Sequence, residues 1–597
     1  MKSLTTKQQT LSTLTTIILF LVMTLAIAPI AASAATPDIY VNTTGWWNAS
    51  GAFNESGVPI QAAINNANAG DTIYVYNGTY NDNVDVNEQL TLQGEGSDVV
   101  NMIANSPDDH VFNVSVDNVK ISGFNVSGAT GSAMAGIYVT SNYCNISNND
   151  VTNNDYGISL DSSSNNTLTN NTASNNAYGI HLLSSSNNTL TNNTADSNNL
   201  GIYLYLSSDN NLTSNTASDN TYGIRLWSSS NNNLTSNTAI NNGYGIYLWS
   251  SSNNNLTNNT ADSNNNYGIG LYLSSDNTLT SNTASNNTCG IRLYSSSDNN
   301  NLTNNTAINN GYGIYLSSSS DNNLTSNIAS NNTYGIYLFY LCNNNNLTNN
   351  TADSNNNYGI WLDSSIDNTL TNNTANSNSQ YGIYLDFSSY SILTNNTMNE
   401  NTYNFRLEGS SESNFDNQID TTNLVDGKPI YYVTNPSNES YNSSINAGTF
   451  YIINGVNITL TDLNLTTNYY GIFLWNTTDS NIQNVSVSNN YDGISLSSSS
   501  NNNLTSNTAS NNNYGIRLSS SSNNTLTNNT ADSNNDDGID LESSSDNTLT
   551  NNTASNNSDW GISLSASSDN NLMSNTANSN NFGIYLSSSS DNNLTNS

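Results

Sequence analysis

The chain has 597 residues, of which 44 are acidic and 8 basic, and it is 35% hydrophobic and 9% charged. Ordinary globular chains are about half apolar and about a quarter charged, whereas the balance here is made up by Asn, Ser and Thr. The net charge of −36 argues against a nucleic-acid partner, because binding phosphates requires clustered Lys and Arg.

Residues 1–34 have the pattern of an export signal. A lysine-containing start and an apolar core are followed by the small-residue cleavage site Ala32-Ser33-Ala34. We expect a secreted, cell-surface or periplasmic protein whose membrane contact is limited to this signal, with an uncleaved anchor as the alternative. Its three cysteines, Cys144, Cys289 and Cys342, cannot all pair within one chain, and we expect isolated thiols at repeat positions.

The segment 35–135 predicts a cap followed by irregular first coils. Within it, residues 59–67 have helical spacing, with Ile60, Ala63, Ile64 and Ala67 on one face. A turn at Gly70-Asp71 leads into a predicted strand at 72–76. We expect the helix to cover the open edge of the first coil, which would otherwise recruit other chains.

From Gly136 onward one pattern recurs at steps of 21 to 24 residues. It consists of Tyr-Gly-Ile-x-Leu, a Ser-rich bend and Asn-Asn-x-Leu-Thr-x-Asn-Thr-Ala. The pattern is regular over 136–407 and 471–597 and degenerate over 408–470, where we expect continuous coils. The chain stops within a repeat, from which we expect either a fragment of a longer protein or an assembly edge.

Short strands and tight turns at a period near 22 are typical of an all-β parallel β-helix, in which each coil hydrogen-bonds to the next. A leucine-rich repeat, the alternative, requires a fixed leucine frame and a helical side. Strand alternation points Ile180 and Leu182 inward and His181 outward. By the same logic, Leu190 and Ala195 should face the core from the next strand. Asparagine at the bends tolerates left-handed backbone and can pass hydrogen bonds between coils.

Two groups of segments resemble known β-helix families. The opening segments resemble those of pectin-lyase-like right-handed β-helix proteins. The Asn/Gly-Ile coils and the Asp-Gly-Lys-Pro-Ile-Tyr-Tyr segment are similar to NosD-type domains, common in archaeal cell-surface proteins. The segments are Ala67-Asn68-Ala69-Gly70-Asp71-Thr72-Ile73, Asn77-Gly78-Thr79-Tyr80, Leu90-Thr91-Leu92-Gln93-Gly94 and Asp426-Gly427-Lys428-Pro429-Ile430-Tyr431-Tyr432. The resemblance implies a right-handed helix, but it does not specify an activity, because the scaffold hosts enzymes and adhesins alike.

The NosD resemblance also implies periplasmic copper handling. Copper sites need His, Cys or Met side chains that converge within bonding distance. The mature chain offers His110, His181, the three cysteines, Met102, Met134, Met398 and Met573, which are scattered over many coils. This distribution does not favour a copper site, and we expect no cofactor of this kind.

Coil stacking turns equivalent repeat positions into rows on the surface. Five consecutive coils predict a double outward row of aromatic side chains with two arginines, on which sugar rings could stack. The alternative is that the rings stack on each other and stabilise the sheet. The rows are Tyr203, Arg225, Tyr247, Gly270 and Arg292, and Tyr205, Trp227, Trp249, Tyr272 and Tyr294.

Further along, one outward position holds Asp363, Asp386 and Glu408 in successive coils, flanked by Tyr384 and Arg406. Three carboxylates this close repel each other unless a cation, a shared proton or an arginine compensates. The row predicts a solvated acidic face, with two alternatives. One is a calcium site; the other is acid–base catalysis on an acidic polysaccharide, with Arg406 neutralising a uronate and Tyr384 or a carboxylate moving the proton.

Asn-x-Ser/Thr sequons, which mark glycan acceptors in exported proteins, occur along the mature chain. They include Asn42, Asn77, Asn113, Asn125, Asn170, Asn192 and Asn457. Together these features predict a non-catalytic β-helix rod of the cell envelope with a structural, adhesive or glycan-binding role. The alternatives are a lyase or epimerase acting on acidic polysaccharide and a NosD-like copper-handling protein.

Overall fold

The computed structural model describes residues 36–597, so the predicted export signal lies outside the described part of the chain. These residues form an all-β parallel solenoid of about 24 turns with very little helix. The predicted fold is therefore confirmed. No helix among the described residues is long and apolar enough to cross a membrane.

A regular coil contains one long strand and two short ones. In the coil of Gly179 these are Tyr178–Leu183, Thr189–Thr191 and Thr194–Asp196. Equivalent strands of successive coils stack in register, so that Leu182 pairs with Leu204 in the next coil. We call the three stacks the long-strand sheet, the leucine sheet and the alanine sheet, after the long strand and the central residues of the short ones.

Each of the three stacks is divided into two sections. The long-strand sheet of the first section ends at Glu408 and the leucine sheet at Ile419, whereas the strands of the alanine sheet end at Ser330 and the stack continues as isolated bridges to Thr397. The long-strand sheet of the first section contains Val84–Val86, Phe112–Val114, Ala135–Val139, Tyr156–Asp161, Tyr178–Leu183, Leu200–Tyr205, Tyr222–Trp227, Tyr244–Trp249, Tyr267–Tyr272, Cys289–Tyr294, Tyr312–Ser317, Tyr334–Phe339, Tyr358–Asp363, Tyr381–Asp386 and Tyr403–Glu408. The second section has a ten-stranded sheet of Thr397–Met398, Leu424–Val425, Lys428–Thr434, Thr449–Ile453, Tyr470–Trp475, Asp492–Ser497, Tyr514–Ser519, Ile539–Glu542, Trp560–Ser565 and Phe582–Ser587.

The short-strand sheets follow the same division. In the first section the leucine sheet contains Ile39–Asn42, Gly45–Asn48, Asn54–Glu55, Thr72–Val75, Thr91–Gly94, Lys120–Ser122, Asn145–Ser147, Thr167–Thr169, Thr189–Thr191, Asn211–Thr213, Asn233–Thr235, Asn255–Thr257, Thr278–Thr280, Asn301–Thr303, Asn323–Thr325, Asn346–Thr348, Thr369–Thr371, Ile392–Thr394 and Gln418–Ile419. Its alanine sheet contains Gly78–Asn81, Val100–Ile103, Asn125–Ser127, Asp150–Thr152, Thr172–Ser174, Thr194–Asp196, Thr216–Ser218, Thr238–Ile240, Thr260–Asp262, Thr283–Ser285, Thr306–Ile308 and Ile328–Ser330. In the second section the short strands are Ser440–Tyr441, Thr459–Thr461, Asn481–Gln483, Asn503–Thr505, Thr525–Thr527, Thr548–Thr550, Asn571–Met573 and Asn593–Thr595, and Asn464–Thr466, Ser486–Ser488 and Thr508–Ala509.

The core is a narrow apolar column enclosed by the sheets. Ile180, Leu182, Leu190 and Ala195 are all fully buried, as predicted from strand alternation. His181 points to the outer surface, where neighbouring rings cover it and leave it only 5% exposed. Each coil contributes a few such apolar side chains, so the stability of the core depends on stacking.

Buried asparagine columns line three bends of the regular coil. At the bend between the leucine and alanine strands, Asn193 Nδ2 donates to Asn215 Oδ1 at 3.0 Å and to Leu168 O at 2.9 Å. The preceding residue, Asn192, has a left-handed φ of 54°. Each bend therefore satisfies its backbone through the next coil, which relieves the cost of burying polar groups.

The N-terminal cap forms as expected, although its helix is shorter. The helix spans Pro59–Ile64, and Ile60, Ala63 and Ile64 are buried. It packs against the first strands of the solenoid, including the antiparallel pair Ile39–Asn42 and Gly45–Asn48. The following strand, Thr72–Val75, stops one residue before its predicted end.

Stacking is interrupted within 408–470, where we expected continuous coils. A 3₁₀ helix, Glu412–Phe415, follows the last long strand of the first section. The strands Leu424–Val425 and Lys428–Thr434 then pair antiparallel across Asp426-Gly427. Both turn residues have positive φ, 47° and 73°, the geometry of a tight hairpin. The hairpin reverses the chain, which transfers the ten-stranded sheet from the alanine column to the long strands.

Candidate functional site

The predicted double row forms on the long-strand sheet, and we call it the aromatic strip. Trp227 pairs with Trp249 and Tyr203 with Arg225 in adjacent coils, so the predicted registers are correct. The strip consists of Tyr203, Tyr205, Arg225, Trp227, Tyr247, Trp249, Gly270, Tyr272, Arg292 and Tyr294.

The rings of the strip cover one another. The Trp227 and Trp249 rings stack with centroids 5.0 Å apart at 12°. Tyr247 is 6% exposed, and its hydroxyl lies 2.6 Å from that of Tyr294, so that its ring fills the space above Gly270. The aromatic faces are therefore occupied, whereas the second row, from Tyr205 to Tyr294, stays partly exposed.

The two arginines of the strip lie against rings. The guanidinium carbon of Arg225 is 4.7 Å from the Tyr222 centroid and 5.0 Å from that of Trp227. That of Arg292 is 4.6 Å from the Tyr294 centroid. Such cation–π contacts compensate the burial of a charge, so both arginines belong to the packing of the sheet.

Sequence reasoning missed a third aromatic column, formed by the residue before each repeat glycine. Tyr222 and Tyr244 stack there at 4.7 Å and 9°. Cys289 occupies the same column, and Cys144 and Cys342 occupy asparagine and serine positions at the bends. All three cysteines are buried and free, as predicted. The recurring Tyr-Gly pair was the available signal for this column, but strict strand alternation places that tyrosine on the inward side, with the isoleucine two residues later, so the pattern alone did not predict it.

The acidic row also forms in register, with Asp386 between Asp363 and Glu408. Asp363 accepts hydrogen bonds from the Tyr337 hydroxyl at 3.1 Å and from Ser364 Oγ at 2.9 Å. Glu408 accepts from the Tyr384 hydroxyl at 2.7 Å. The outer two carboxylates thus have partners within the protein.

Asp386 differs from its neighbours. Its Oδ1 is buried and has no hydrogen-bond partner. Burial, together with the charges of Glu408 and Asp363, raises the pKa of Asp386 to about 6, while Tyr384 and Arg406 oppose the shift. Burial also raises the pKa of the Tyr384 hydroxyl well above its usual range. Asp386 can therefore exchange a proton near neutral pH, whereas Tyr384 stays protonated.

Arg406 is held by several groups. It forms an ion pair with Glu408, and its Nη1 donates to the Tyr381 hydroxyl at 3.0 Å. Its guanidinium carbon lies 4.1 Å from the Tyr469 centroid and 4.4 Å from that of Tyr384. Tyr469 belongs to the second section, so Arg406 ties the two sections together.

A gap in the outer aromatic columns lies beside this contact, and we call it the junction notch. Its cavity of about 160 Å³ is lined by Glu408, Phe473, Asp492, Ser495, Ser497 and Arg517, among others. Ser495 and Ser497 stand at positions that hold Phe473 and Trp475 one coil earlier. Asp492 occupies the tyrosine column and is only 2% exposed. The repeat pattern gives no signal for Asp492 and Arg517 as site residues, because Glu408, which lines the same cavity, is distant in the chain.

The candidate metal ligands do not assemble a copper site among the described residues. His110 Nδ1 accepts from the backbone N–H of Ala135 at 2.9 Å, and its ring stacks on Tyr138. His181 packs against Tyr203, and Met102 and Met398 are buried in the core. Within residues 36–597, three His, Cys, Asp or Glu side chains converge only at Asp536, Asp537 and Asp559, whose carboxylate oxygens lie within 4.8 Å of one another. Hard oxygen donors of this kind do not fit copper, which prefers nitrogen and sulfur.

The predicted glycan acceptors differ in exposure. Asn77, Asn170, Asn192 and Asn457 are exposed, whereas Asn42, Asn113 and Asn125 are partly buried. Asn113 Nδ2 donates to Asp85 Oδ1 at 2.8 Å. Among the exposed acceptors, Asn170 Nδ2 donates to Asn148 Oδ1 at 3.2 Å and Asn457 Nδ2 to Asn438 Oδ1 at 2.7 Å, so a glycan at these positions would also compete with a hydrogen bond.

Several solved β-helix structures are similar to the chain at low identity. One is the A-module of the Azotobacter vinelandii mannuronan C-5 epimerase AlgE4, with 17% identity, a TM-score of 0.34 and coverage of 60% of this chain and 94% of that chain. Another is the periplasmic alginate epimerase AlgG, with 15% identity, a TM-score of 0.35 and coverage of 59% and 76%. A third is DFA-IIIase from Arthrobacter chlorophenolicus A6, with 14% identity, a TM-score of 0.30 and coverage of 52% and 88%. No curated protein matches the chain significantly.

Two families match long parts of the sequence. The family described as right handed beta helix region matches residues 108–261. The family described as periplasmic copper-binding protein (NosD) matches residues 207–332, 294–458 and 425–597, more than half of the chain. The stacked coils and these matches agree, and the chain therefore belongs to the NosD family of right-handed β-helix proteins.

Proposed function

We propose that this protein is a non-catalytic structural rod that works outside the cytoplasm. The observation that carries the proposal is the continuity of the buried asparagine and apolar columns over each section. Every coil is hydrogen-bonded to the next, and bends such as Asn192-Asn193 are too short to wall a cleft, which active sites usually require. The family description as periplasmic supports the location.

The aromatic strip supports the same role in two ways. Stacked rings and cation–π contacts on the outside of the sheet add to the cohesion of successive coils. Its second row also presents partly exposed aromatic edges over five coils. Such a surface suits adhesion to polysaccharide, with the acidic balance of the chain favouring neutral glycans over acidic ones.

A glycan array on the mature protein tests the adhesive part of this function. We expect binding to neutral polysaccharide that is lost in Trp227→Ala and Trp249→Ala. Tyr143→Ala is the matched control, because Tyr143 is an exposed aromatic residue at a bend, outside the strip. Equal loss in the control, or unchanged binding in the strip variants, would contradict adhesion through the strip.

A second candidate function is acid–base chemistry on an acidic polysaccharide. The observation that favours it is the unpartnered Oδ1 of Asp386, next to the Tyr384 hydroxyl and Arg406. A carboxyl with a pKa near the working pH is suited to accept a substrate proton. Against it, Arg406 already pairs with Glu408, which leaves its charge largely compensated.

Incubation with uronate polymers distinguishes the two functions. A lyase would produce double-bond absorbance, and an epimerase would change the ratio of sugar epimers by NMR. We expect neither in the wild-type protein. Turnover that disappears in Asp386→Asn but persists in Asp161→Asn, a carboxylate at the equivalent position of a distant coil, would replace the structural proposal.

The copper in the family description is not carried over to this chain. In the described part of the chain no three histidine or cysteine side chains converge, and His110 Nδ1 accepts a hydrogen bond from the backbone N–H of Ala135. We therefore propose no copper-dependent step and no resident cofactor.

A further inference from the structure

The junction notch is a gap in an otherwise crowded surface. The coil Asp492–Ser497 places Ser495 and Ser497 where other coils have aromatic rings, and the next coil continues with Arg517 and Ser519. The last long strand of the first section closes the gap with Glu408. The cavity of about 160 Å³ is smaller than the roughly 300 Å³ of sites for drug-sized ligands. It therefore suits a single sugar-sized ring.

Asp492 makes the notch chemically unusual. The carboxyl is 2% exposed, and its Oδ1 has no hydrogen-bond partner. Buried polar atoms in folded proteins almost always have partners. Burial raises the pKa of Asp492 to about 7, although Arg517 opposes the shift. The notch thus contains a buried carboxyl oxygen that is free to bond to a group entering from outside the protein.

The surrounding charges restrict what that group can be. The charges on the walls are paired within the protein: Arg517 with Asp540 at 3.3 Å and Glu542 at 3.1 Å, and Glu408 with Arg406. The notch therefore offers little net charge to attract a metal cation or an anion such as a uronate. A hydroxyl group both donates and accepts, so it can satisfy Asp492 in either protonation state.

The remaining walls complete the recognition of a polyol ring. Tyr470 and Phe473 line one side, with ring centroids 4.4 Å apart, and offer apolar surface to C–H groups. Ser495, Ser497 and Ser519 supply hydroxyls. We propose that the junction notch binds one neutral pyranose unit of a polysaccharide. This inference rests on the proposed adhesive role, because the bound polysaccharide would supply the sugar unit.

Ligand-observed NMR with the mature protein tests the notch directly. The probes are methyl α-D-glucopyranoside and methyl α-D-mannopyranoside, with glucuronate and calcium chloride as the charged competitors. Ser497→Trp fills the notch with a side chain that the same column accepts at Trp475. We expect neutral glycoside binding to weaken at least about tenfold, the equivalent of one lost hydrogen bond to a charged group.

Ser317→Trp is the matched control, because Ser317 stands at the same repeat position of a distant coil, and it should bind as the wild type does. Should Ser497→Trp lose its folded circular-dichroism spectrum, Asp492→Leu provides the equivalent test. The inference is overturned if neither neutral glycoside binds saturably, if glucuronate or calcium binds more tightly, or if the folded notch variant binds normally. Polysaccharide binding lost in Trp227→Ala but unchanged in Ser497→Trp would overturn the notch alone and leave the proposed function intact.

Discussion

At the scale of single residues, buried asparagines stabilise the interior, a role that apolar residues have in ordinary cores. Asn215 is fully buried, and its Nδ2 donates to Leu190 O at 2.9 Å and to Asn237 Oδ1 at 3.0 Å. Its Oδ1 accepts from both the backbone N–H and the Nδ2 of Asn193. One side chain thus bonds to groups in both neighbouring coils, which explains how so polar a chain keeps a folded interior.

Replacing Asn215 by alanine should leave several of these buried groups without partners. We expect the free energy of unfolding to fall by about 3 kcal/mol and hydrogen exchange to accelerate at the neighbouring coils. Asn211→Ala is the control, because Asn211 is exposed and belongs to none of the buried asparagine columns. It should change the free energy of unfolding by less than about 0.5 kcal/mol. Equal effects in chemical denaturation would contradict a special role for the buried column.

Asp492 should make stability depend on pH. Its pKa is raised to about 7 in the folded protein from an unfolded value of 3.8. The neutral form is therefore favoured by folding, and its contribution is complete below pH 3.8 and is lost as the pH rises through about 7.

We accordingly expect the wild-type melting temperature to fall between about pH 5 and pH 8, and the fall to be smaller in Asp492→Asn. Part of the dependence should persist, because Asp537 and Asp540 also have raised pKa values. Thermal unfolding at both pH values measures the difference. An identical fall in the variant would exclude Asp492 as a source.

At the scale of elements, the repeat glycine is explained by the approach of adjacent long strands. A Cβ built on Gly245 would lie 2.5 Å from the carbonyl oxygen of Gly268 and 2.8 Å from Asn264 Nδ2. Only glycine lets the coils approach closely enough for both the strand and the asparagine column to bond. The glycine is thus required by contact between coils, a reason that a single repeat does not reveal.

Gly245→Ala should separate the coils and destabilise the protein by about 1–3 kcal/mol, as expected for overpacking. Gly57→Ala is the control, because a Cβ there meets nothing within 4 Å. Hydrogen exchange across Tyr244–Trp249 and Tyr267–Tyr272 should report the local loss. Unchanged protection of these strands would contradict the prediction, because it would show that the coils accommodate the added methyl group.

At the scale of the whole molecule, local contacts determine the shape. About 24 turns spaced about 4.8 Å apart give a rod roughly 115 Å long. Each coil contacts its neighbours, so the stability is distributed along the rod rather than concentrated in one centre. The apolar core forms two clusters, of which the first extends past the last long strand of the first section to Ile430 and Phe473 and the second begins at Ala447.

Small-angle X-ray scattering of the mature protein should give a maximum dimension of at least about 100 Å and a profile typical of a rod. The reason is that in-register stacking leaves no alternative to extension along one axis. A compact particle with a maximum dimension near 60 Å, about that of a globular chain of this length, would contradict the stacked architecture. Bovine serum albumin, of similar mass, is a suitable globular reference.

The repeat determined the solenoid, its buried Ile and Leu positions and the rows on its surface. Period-2 alternation and in-register stacking are local rules. The inward orientation of Leu182 in one coil therefore predicts the same orientation for the equivalent leucine of every regular coil. The same rules placed Asp363, Asp386 and Glu408 in one column. The hairpin at Asp426-Gly427 was not predicted. Its effect depends on which stacks of strands its two strands join, and this is decided by tertiary packing.

Only the tertiary structure decided how exposed the rows are and where the two sections meet. Ring stacking depends on side-chain orientation. Neighbouring rings cover Tyr203 and Tyr247, although both side chains point outward. The junction notch joins Glu408 to Asp492 and Arg517 across a change of sheet. Periodicity describes neighbours one coil apart, and contacts formed where the period breaks are set by packing alone.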